Sequence, residues 1–130
     1  MNIIEFLQDS KALFLGTIDE NQARVRPISF VMENDGRLFF CTHKAKDLYR
    51  QLVSNPNVEI CFLDSKMNTL RISSKVIFTT SPDLQEKALK ARPMLQKKFS
   101  VGDDNFALYY LDEPKAFCQS IKGDRQAVVM

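Results

Sequence analysis

Two segments with the alternation of β-strands are apolar on both faces, and this feature restricts the possible folds more than any other. Residues 23–32 place apolar side chains at even positions such as Ile28 and at odd positions such as Val25, and residues 37–42 behave in the same way. Residues 69–78 alternate more cleanly between apolar and polar. Antiparallel strands that are apolar on both sides must be covered twice. The pattern predicts a closed antiparallel barrel that is also covered from outside, most simply by a second copy of the chain.

The rest of the chain predicts a mainly β fold with peripheral helices and about seven strands. The first three strands follow one another through short polar turns and are expected to form a meander. The predicted elements are a helix over Asn2 to Ser10, strands at 13–18, 23–32 and 37–42, a helix at 45–55, strands at 58–63 and 69–80, a helix from Ser81 to about Arg92, a short helix near 94–99, and two strands at 106–112 and 115–121 that are joined at Glu113 and Pro114.

Composition excludes several classes of protein. The 130 residues, 45% of them hydrophobic, predict one domain spanning 1–130. Without a long apolar run or a secretory start, the chain is expected to be cytoplasmic, with no membrane partner. The net charge of +2 disfavours a barrel that binds single-stranded nucleic acid. The cysteines Cys41, Cys61 and Cys118 are widely spaced and are expected to be reduced and mostly buried.

Basic side chains cluster in one part of the chain, where they could bind a phosphate. Arg24 and Arg26 lie on one strand face, about 6.6 Å apart by strand rise, and Pro27 marks a strand edge or bulge. After the strand that ends at Thr42, Lys44 and Lys46 lead into a helix whose free N–H groups would also attract an anion.

Structural explanations stand beside each of these assignments. The two arginines could be a solvated strand end, and Thr42 could cap the helix while the lysines face water. His43, the single histidine, excludes a His-rich metal site and is either exposed or available as a haem ligand or proton donor. Four aromatic residues could line a pocket or belong to the core: Phe99, Phe106, Tyr109 and Tyr110.

The run ARVRPISFVMENDGRLFFCTHKAKDLYRQLVSNPNVEICFL, followed by TLRISSKVIF, resembles the pyridoxamine 5'-phosphate oxidase-like family of FMN-binding split barrels. The motifs in common are the R-P strand, the turn, the F-C-T strand end, the lysine before the helix and the N-P helix stop. The resemblance implies an antiparallel split β-barrel that forms a homodimer with FMN at the subunit interface.

The resemblance also implies which residues bind the cofactor. Arg26, Pro27, Ile28 and Ser29 would run beside the isoalloxazine ring, with Arg24 or Arg26 reaching the phosphate. Cys41 and Thr42 would lie beside the ribityl chain and phosphate, and Lys46, supported by Lys44, would pair with the phosphate charge. Arg71 would reach the cofactor of the other subunit.

The expected function is that of an FMN-dependent oxidoreductase acting on a small molecule, in which the cofactor carries the redox chemistry. Vitamin B6 oxidation itself is not expected, because the chain contains no tryptophan and ends FCQSIKGDRQAVVM, without the segment that grips that substrate in the family's oxidases. The alternative is a non-catalytic module that binds a flavin or haem, and a deazaflavin is a further possibility within the same fold.

Overall fold

The computed structural model of the protein describes residues 6–7 and 10–128. Within this part of the chain there are eight strands, two α-helices and one 3-10 helix. In chain order they are β1 (Ser10–Asp19), β2 (Gln22–Pro27), β3 (Met32–Asn34), β4 (Arg37–His43), α1 (Asp47–Ser54), β5 (Asn57–Asp64), β6 (Thr69–Phe78), α2 (Pro82–Ala91), the 3-10 helix (Pro93–Lys97), β7 (Phe106–Gln119) and β8 (Arg125–Val128). The predicted helix over Asn2 to Ser10 lies mostly outside the described residues.

The strands form one antiparallel sheet in the order β2-β1-β5-β6-β7-β4-β3, with β8 added to β7. This sheet is the predicted antiparallel split β-barrel. The predicted meander is wrong, because β4 pairs with β7 and not with β2. Only β1 and β2 form a hairpin at that end of the sheet. Residues 28–31 therefore carry the chain from one sheet edge to the other, and residues 28–30 belong to the candidate site.

The predicted strand 23–32 is also shorter in the structure, where it ends at Pro27. Pro27 has no N–H for the ladder and pairs with Phe14 at the end of the register. The next residue, Ile28, donates its backbone N–H to the carbonyl oxygen of Leu13 at 3.0 Å, and the chain then leaves the sheet. The edge position predicted for Pro27 is confirmed.

The two strands predicted at 106–112 and 115–121 are one strand, β7. Glu113 and Pro114 do not end it, because they form a bulge opposite Ser74 where the register with β6 shifts. Glu113 has a φ of 45°, and the Ser74 hydroxyl donates a hydrogen bond to the carbonyl oxygen of Asp112 at 2.8 Å. The sequence prediction missed β8, a four-residue strand in which only Val128 is buried.

The helix boundaries follow the predicted local signals. Ser81 caps α2 by accepting a hydrogen bond from the backbone N–H of Leu84 at 3.2 Å, and Pro82 occupies the first turn. α1 buries Leu48, Gln51 and Leu52 and stops before Pro56, as the sequence predicts. None of the described helices is long and apolar enough to cross a membrane.

Two layers of core explain why β4 is apolar on both faces. Leu38 and Phe40 point into the barrel, whereas Phe39 belongs to a second cluster with Ala88 and Leu89 of α2. The chain's own helix therefore covers the outer side of β4, so residues 37–42 do not require a second copy. By contrast β2 stays open on its outer side, where Val25 is 71% exposed.

Tyr109 fills the centre of the barrel. Its ring lies 5.6 Å from that of Phe40 and 5.5 Å from that of Phe78, measured between centroids. Its hydroxyl is buried and has no hydrogen-bond partner in the part of the chain that the structure describes. Burial is also the main cause that raises the pKa of Tyr109. An unpaired buried hydroxyl costs stability, so this group is a weak point of the core.

We expect the substitution Tyr109→Phe to raise the free energy of unfolding by about 1 kcal/mol, because it removes a buried hydroxyl without leaving a large cavity. Urea unfolding followed by circular dichroism measures this change. Tyr110→Phe is the matched control, since among the described residues the buried hydroxyl that lacks a hydrogen-bond partner is that of Tyr109 and not that of Tyr110. A loss of about 1 kcal/mol in Tyr109→Phe would mean that the hydroxyl is hydrogen-bonded in solution.

Candidate functional site

A cleft of ≈ 1470 Å³ lies at one end of the barrel. One wall is edge strand β2 with residues 28–30, and the other is the end of β4 with the start of α1. The two walls come from opposite sides of the sheet order. Most of the predicted cofactor-binding residues line it, namely Arg24, Arg26, Pro27, Ile28, Ser29, Cys41, Thr42 and Lys46.

The exception is Lys44, which does not line the cleft. Its side chain is exposed, and its ammonium nitrogen lies 6.0 Å from the centroid of the Tyr49 ring. Arg71 also lies elsewhere. It pairs with Glu59 on the outer face of β5 and β6, with 3.1 Å between the Nε and Oε2 atoms. Its predicted role toward a second subunit stays a prediction.

Arg26 is the half-buried cation of the cleft, and all its hydrogen-bond acceptors are neutral. Its Nη1 atom donates to the Thr17 hydroxyl oxygen at 2.8 Å and to the Leu15 carbonyl oxygen at 3.2 Å. Its Nη2 atom donates to Gln51 Oε1 at 2.6 Å. Burial lowers the pKa of Arg26, although the guanidinium remains charged. The side chain is thus fixed in position with its positive charge uncompensated.

Arg24 differs from Arg26 because it has an acidic partner. Its Nε atom lies 3.4 Å from Asp19 Oδ2, and Arg50 contacts the other oxygen of the same carboxylate at 3.1 Å. The hydrogen bond from Arg50 is the largest cause that lowers the pKa of Asp19. The strand pattern does not distinguish Arg24 from Arg26, but of these two arginines Arg26 is the one without a carboxylate partner among the described residues.

The start of α1 adds backbone donors to the same cleft. The N–H groups of Asp47 and Leu48 have no intrahelical acceptor, because they lie in the first turn of the helix. Lys46 is the N-cap residue, and its side chain makes no capping bond to them. Both residues line the cleft. Thr42 does not cap this helix, since its hydroxyl lies 3.5 Å from the His43 carbonyl oxygen. The positive end of the helix dipole therefore faces the cleft beside Lys46.

Residues 27–30 form a braced wall with few free backbone groups. The Ile28 N–H is bonded to Leu13, and the Arg92 guanidinium donates to the Ser29 carbonyl oxygen at 2.6 Å. Pro27 has no N–H to offer. Among the described residues neither the Ser29 N–H nor the Phe30 N–H has an acceptor, so these two are the backbone donors that this wall can present to a ligand.

Cys41 and His43 follow each other along the opposite wall. Burial raises the pKa of the Cys41 thiol to about 11, although Lys46, Lys98 and Arg92 act against this effect. His43 Nδ1 accepts a hydrogen bond from the Ala45 backbone N–H at 2.9 Å. This contact leaves the proton of the neutral imidazole on Nε2.

Part of the cleft lining is apolar. Leu95 and Phe99, from the segment around the 3-10 helix, line it together with Phe30, and Lys98 adds one cation. Of the four aromatic residues that could have lined a pocket, only Phe99 does so. The other three belong to the buried core: Phe106, Tyr109 and Tyr110.

Two residues of the site were missed in the sequence. Gln51 and Thr17 hold Arg26, and both are buried. A signal for Gln51 was present, because it is a polar residue on the helix face formed by Leu48 and Leu52. Thr17 carried no such signal, since threonine is common in strands. In the described part of the chain, no three histidine, cysteine or acidic side chains come together as a metal site.

The raised pKa of Cys41 predicts that its thiol reacts slowly with an alkylating agent near neutral pH. Because the thiolate is the reactive form, alkylation of Cys41 by iodoacetamide should be slow at pH 8 and should rise toward pH 11. Mass spectrometry of the Cys61→Ser, Cys118→Ser double variant measures the rate at this single thiol. A rate at pH 8 equal to that of a free cysteine peptide would contradict the environment described here.

Comparisons with known proteins place this chain in a family. Residues 2–112 match the family model described as pyridoxamine 5'-phosphate oxidase. A NimC/NimA family protein from Clostridium acetobutylicum has a similar structure, with a TM-score of 0.91 and 30% identity over 98% of this chain and 90% of that one. No curated protein matches the sequence.

Two more distant structures share the fold. A pyridoxamine 5'-phosphate oxidase-related, FMN binding protein from Nostoc punctiforme has a TM-score of 0.60 and 15% identity over 98% of this chain and 95% of that one. A heme binding protein from Mycobacterium smegmatis has a TM-score of 0.78 and 12% identity over 95% of this chain and 55% of that one. With the match of the family model over most of its length, the chain belongs to the pyridoxamine 5'-phosphate oxidase family.

Proposed function

We propose that the protein binds FMN in this cleft and acts as an FMN-dependent oxidoreductase on a small molecule. The observation that carries the proposal is Arg26, a half-buried guanidinium whose three acceptors are all uncharged. A buried charge is costly unless it is paired. In the described residues no carboxylate lies within salt-bridge distance of it, so an anionic ligand would provide the missing partner.

A phosphate group suits this end of the cleft. Arg26, the Lys46 ammonium group and the free N–H groups at the start of α1 are the kinds of donors that bind a dianion. The apolar part, with Phe30, Leu95 and Phe99, suits a flat ring system. FMN has both parts in one molecule, and an FMN binding protein has the same fold.

Bound FMN would supply hydride or electron transfer. The chain itself would bind and orient it, through the cations at one end and the Ser29 N–H on the braced wall. The Cys41 thiol stays protonated at neutral pH, so it would contribute shape rather than a nucleophile. We infer a substrate other than vitamin B6, because the chain has no tryptophan to grip that substrate.

Haem is the second candidate, since a heme binding protein shares the fold. One contact in the cleft disfavours it. Ligation of iron by His43 Nε2 would need the proton on Nδ1, where it would face the Ala45 N–H. Flavin therefore fits the cleft better.

A homodimer is part of the proposal. The outer face of β1 and β2 has a groove of ≈ 420 Å³ beside Gly16, with Val25 strongly exposed. Arg24 and Val25 line both this groove and the cleft, so a second copy seated on the groove would also border the flavin. Arg71 lies on the same outer face, within reach of such a partner. Analytical ultracentrifugation would test this, and a monomer at micromolar concentration would contradict it.

The phosphate site has a test with a matched control. Lys46→Ala should raise the dissociation constant of FMN by about five- to tenfold, since it removes one charge from the phosphate. Riboflavin, which has no phosphate, should bind equally well to both proteins. Quenching of flavin fluorescence measures each constant. Lys44→Ala removes the same charge at a position outside the cleft and should leave the dissociation constants of FMN and of riboflavin unchanged.

Turnover is tested separately from binding. The purified protein should be yellow and should oxidise NADH or NADPH in the presence of an electron acceptor faster than the same concentration of free FMN. A yellow protein without this activity would be a non-catalytic flavin module. A red protein with a Soret band would indicate that the ligand is haem and not flavin. A colourless protein that does not bind added FMN would contradict the proposed function.

A further inference from the structure

Gln51 occupies an unusual place for an amide. It lies in α1 between Leu48 and Leu52 on the buried face of the helix, and it is only 4% exposed. Its Oε1 atom accepts two short hydrogen bonds, one from the Thr17 hydroxyl and one from Arg26 Nη2, both at 2.6 Å. This one oxygen therefore joins β1, β2 and α1 at the lining of the cleft.

The charge of the acceptor distinguishes Arg26 from three other arginines of the sheet and of α1, whereas Arg37 and Arg125 lie over aromatic rings. Arg24 and Arg50 contact Asp19, and Arg71 contacts Glu59. The acidic groups facing Arg26 act only from a distance. Asp19 is already shared by two arginines, and Asp47, which favours the charged form of Arg26, is 88% exposed at its side chain.

We propose that Gln51 is a positioning residue whose neutral oxygen fixes the Arg26 guanidinium while leaving its charge available to the phosphate of the ligand. This inference rests on the proposed function. It also predicts a specificity: the cleft binds a flavin that carries a phosphate with higher affinity than one that does not. Glutamate could make the same two hydrogen bonds, but its charge would neutralise Arg26 and repel the ligand.

The experiment compares Gln51→Glu with the wild type, using FMN and riboflavin as probes. The variant should fold with a melting temperature equal to or above that of the wild type, because both hydrogen bonds are kept and an ion pair is added. Its dissociation constant for FMN should rise by about tenfold or more, through repulsion between the carboxylate and the phosphate. Its affinity for riboflavin should not change.

Val53→Glu is the matched control. It adds the same charge to the same helix at a side chain that is 59% exposed and does not line the cleft. We expect it to leave the ratio of the two flavin affinities within about twofold of the wild type, because solvent screens an exposed charge.

The outcomes separate this inference from the proposed function. A wild-type protein that binds neither flavin contradicts both. A wild-type protein that prefers FMN, with an equal preference in Gln51→Glu, overturns only the role of Gln51 and would mean that its contacts serve the fold alone. Failure of Gln51→Glu to fold would overturn it too, because the inference requires that a carboxylate can take over both hydrogen bonds.

Discussion

The charge of Arg26 is held by acceptors that do not neutralise it, and the cleft is organised around this contact. The guanidinium donates to the Thr17 hydroxyl, the Leu15 carbonyl and the Gln51 amide oxygen, all of which are neutral. Neutral acceptors satisfy its geometry without cancelling its charge. A cation held in this way favours an anionic partner, and we attribute the phosphate preference of the proposed flavin site to it.

The route of the chain explains how the cleft is built. β2 and β3 are the two edge strands of the same sheet, yet residues 28–31 connect them directly, and β3 then pairs with β4. The crossing places the end of β2 opposite the end of β4 and the first turn of α1. Because Pro27 ends the ladder and Arg92 braces Ser29, this crossing is a fixed wall of the cleft.

The lining of the cleft combines charged and apolar groups. The cations Arg26, Lys46 and Lys98, the first N–H groups of α1 and the carboxylates of Asp19 and Asp47 are its charged and polar part, whereas Phe30, Leu95 and Phe99 are its apolar part. A ligand with a charged tail and a flat ring would be bound in one orientation only. The hydrogen bond that His43 Nδ1 accepts from the Ala45 N–H disfavours ligation of iron by this imidazole. Under the proposed function, the redox chemistry comes from the cofactor, and the chain supplies position and electrostatics.

Much of the fold and part of the site followed from local patterns in the sequence. Alternation predicted a mainly β barrel, Ser81-Pro82 predicted the start of α2, and Asn55-Pro56 predicted the end of α1. Proline chemistry also placed Pro27 at a sheet edge. These features depend on neighbouring residues, so they can be read without knowing the rest of the structure. The residues that line the cleft were named on the family resemblance, which draws on the same local motifs.

Contacts between distant segments decided the rest. Arg26 and Gln51 are 25 positions apart, and only the packing of α1 on the barrel brings them together. Asp19 neutralises Arg24 but not Arg26, which a strand pattern cannot distinguish. Likewise α2, not a second copy, covers the outer face of β4. Which charges are paired and which surfaces are covered depends on tertiary packing, because local periodicity records only the polarity of a side chain and not its partner.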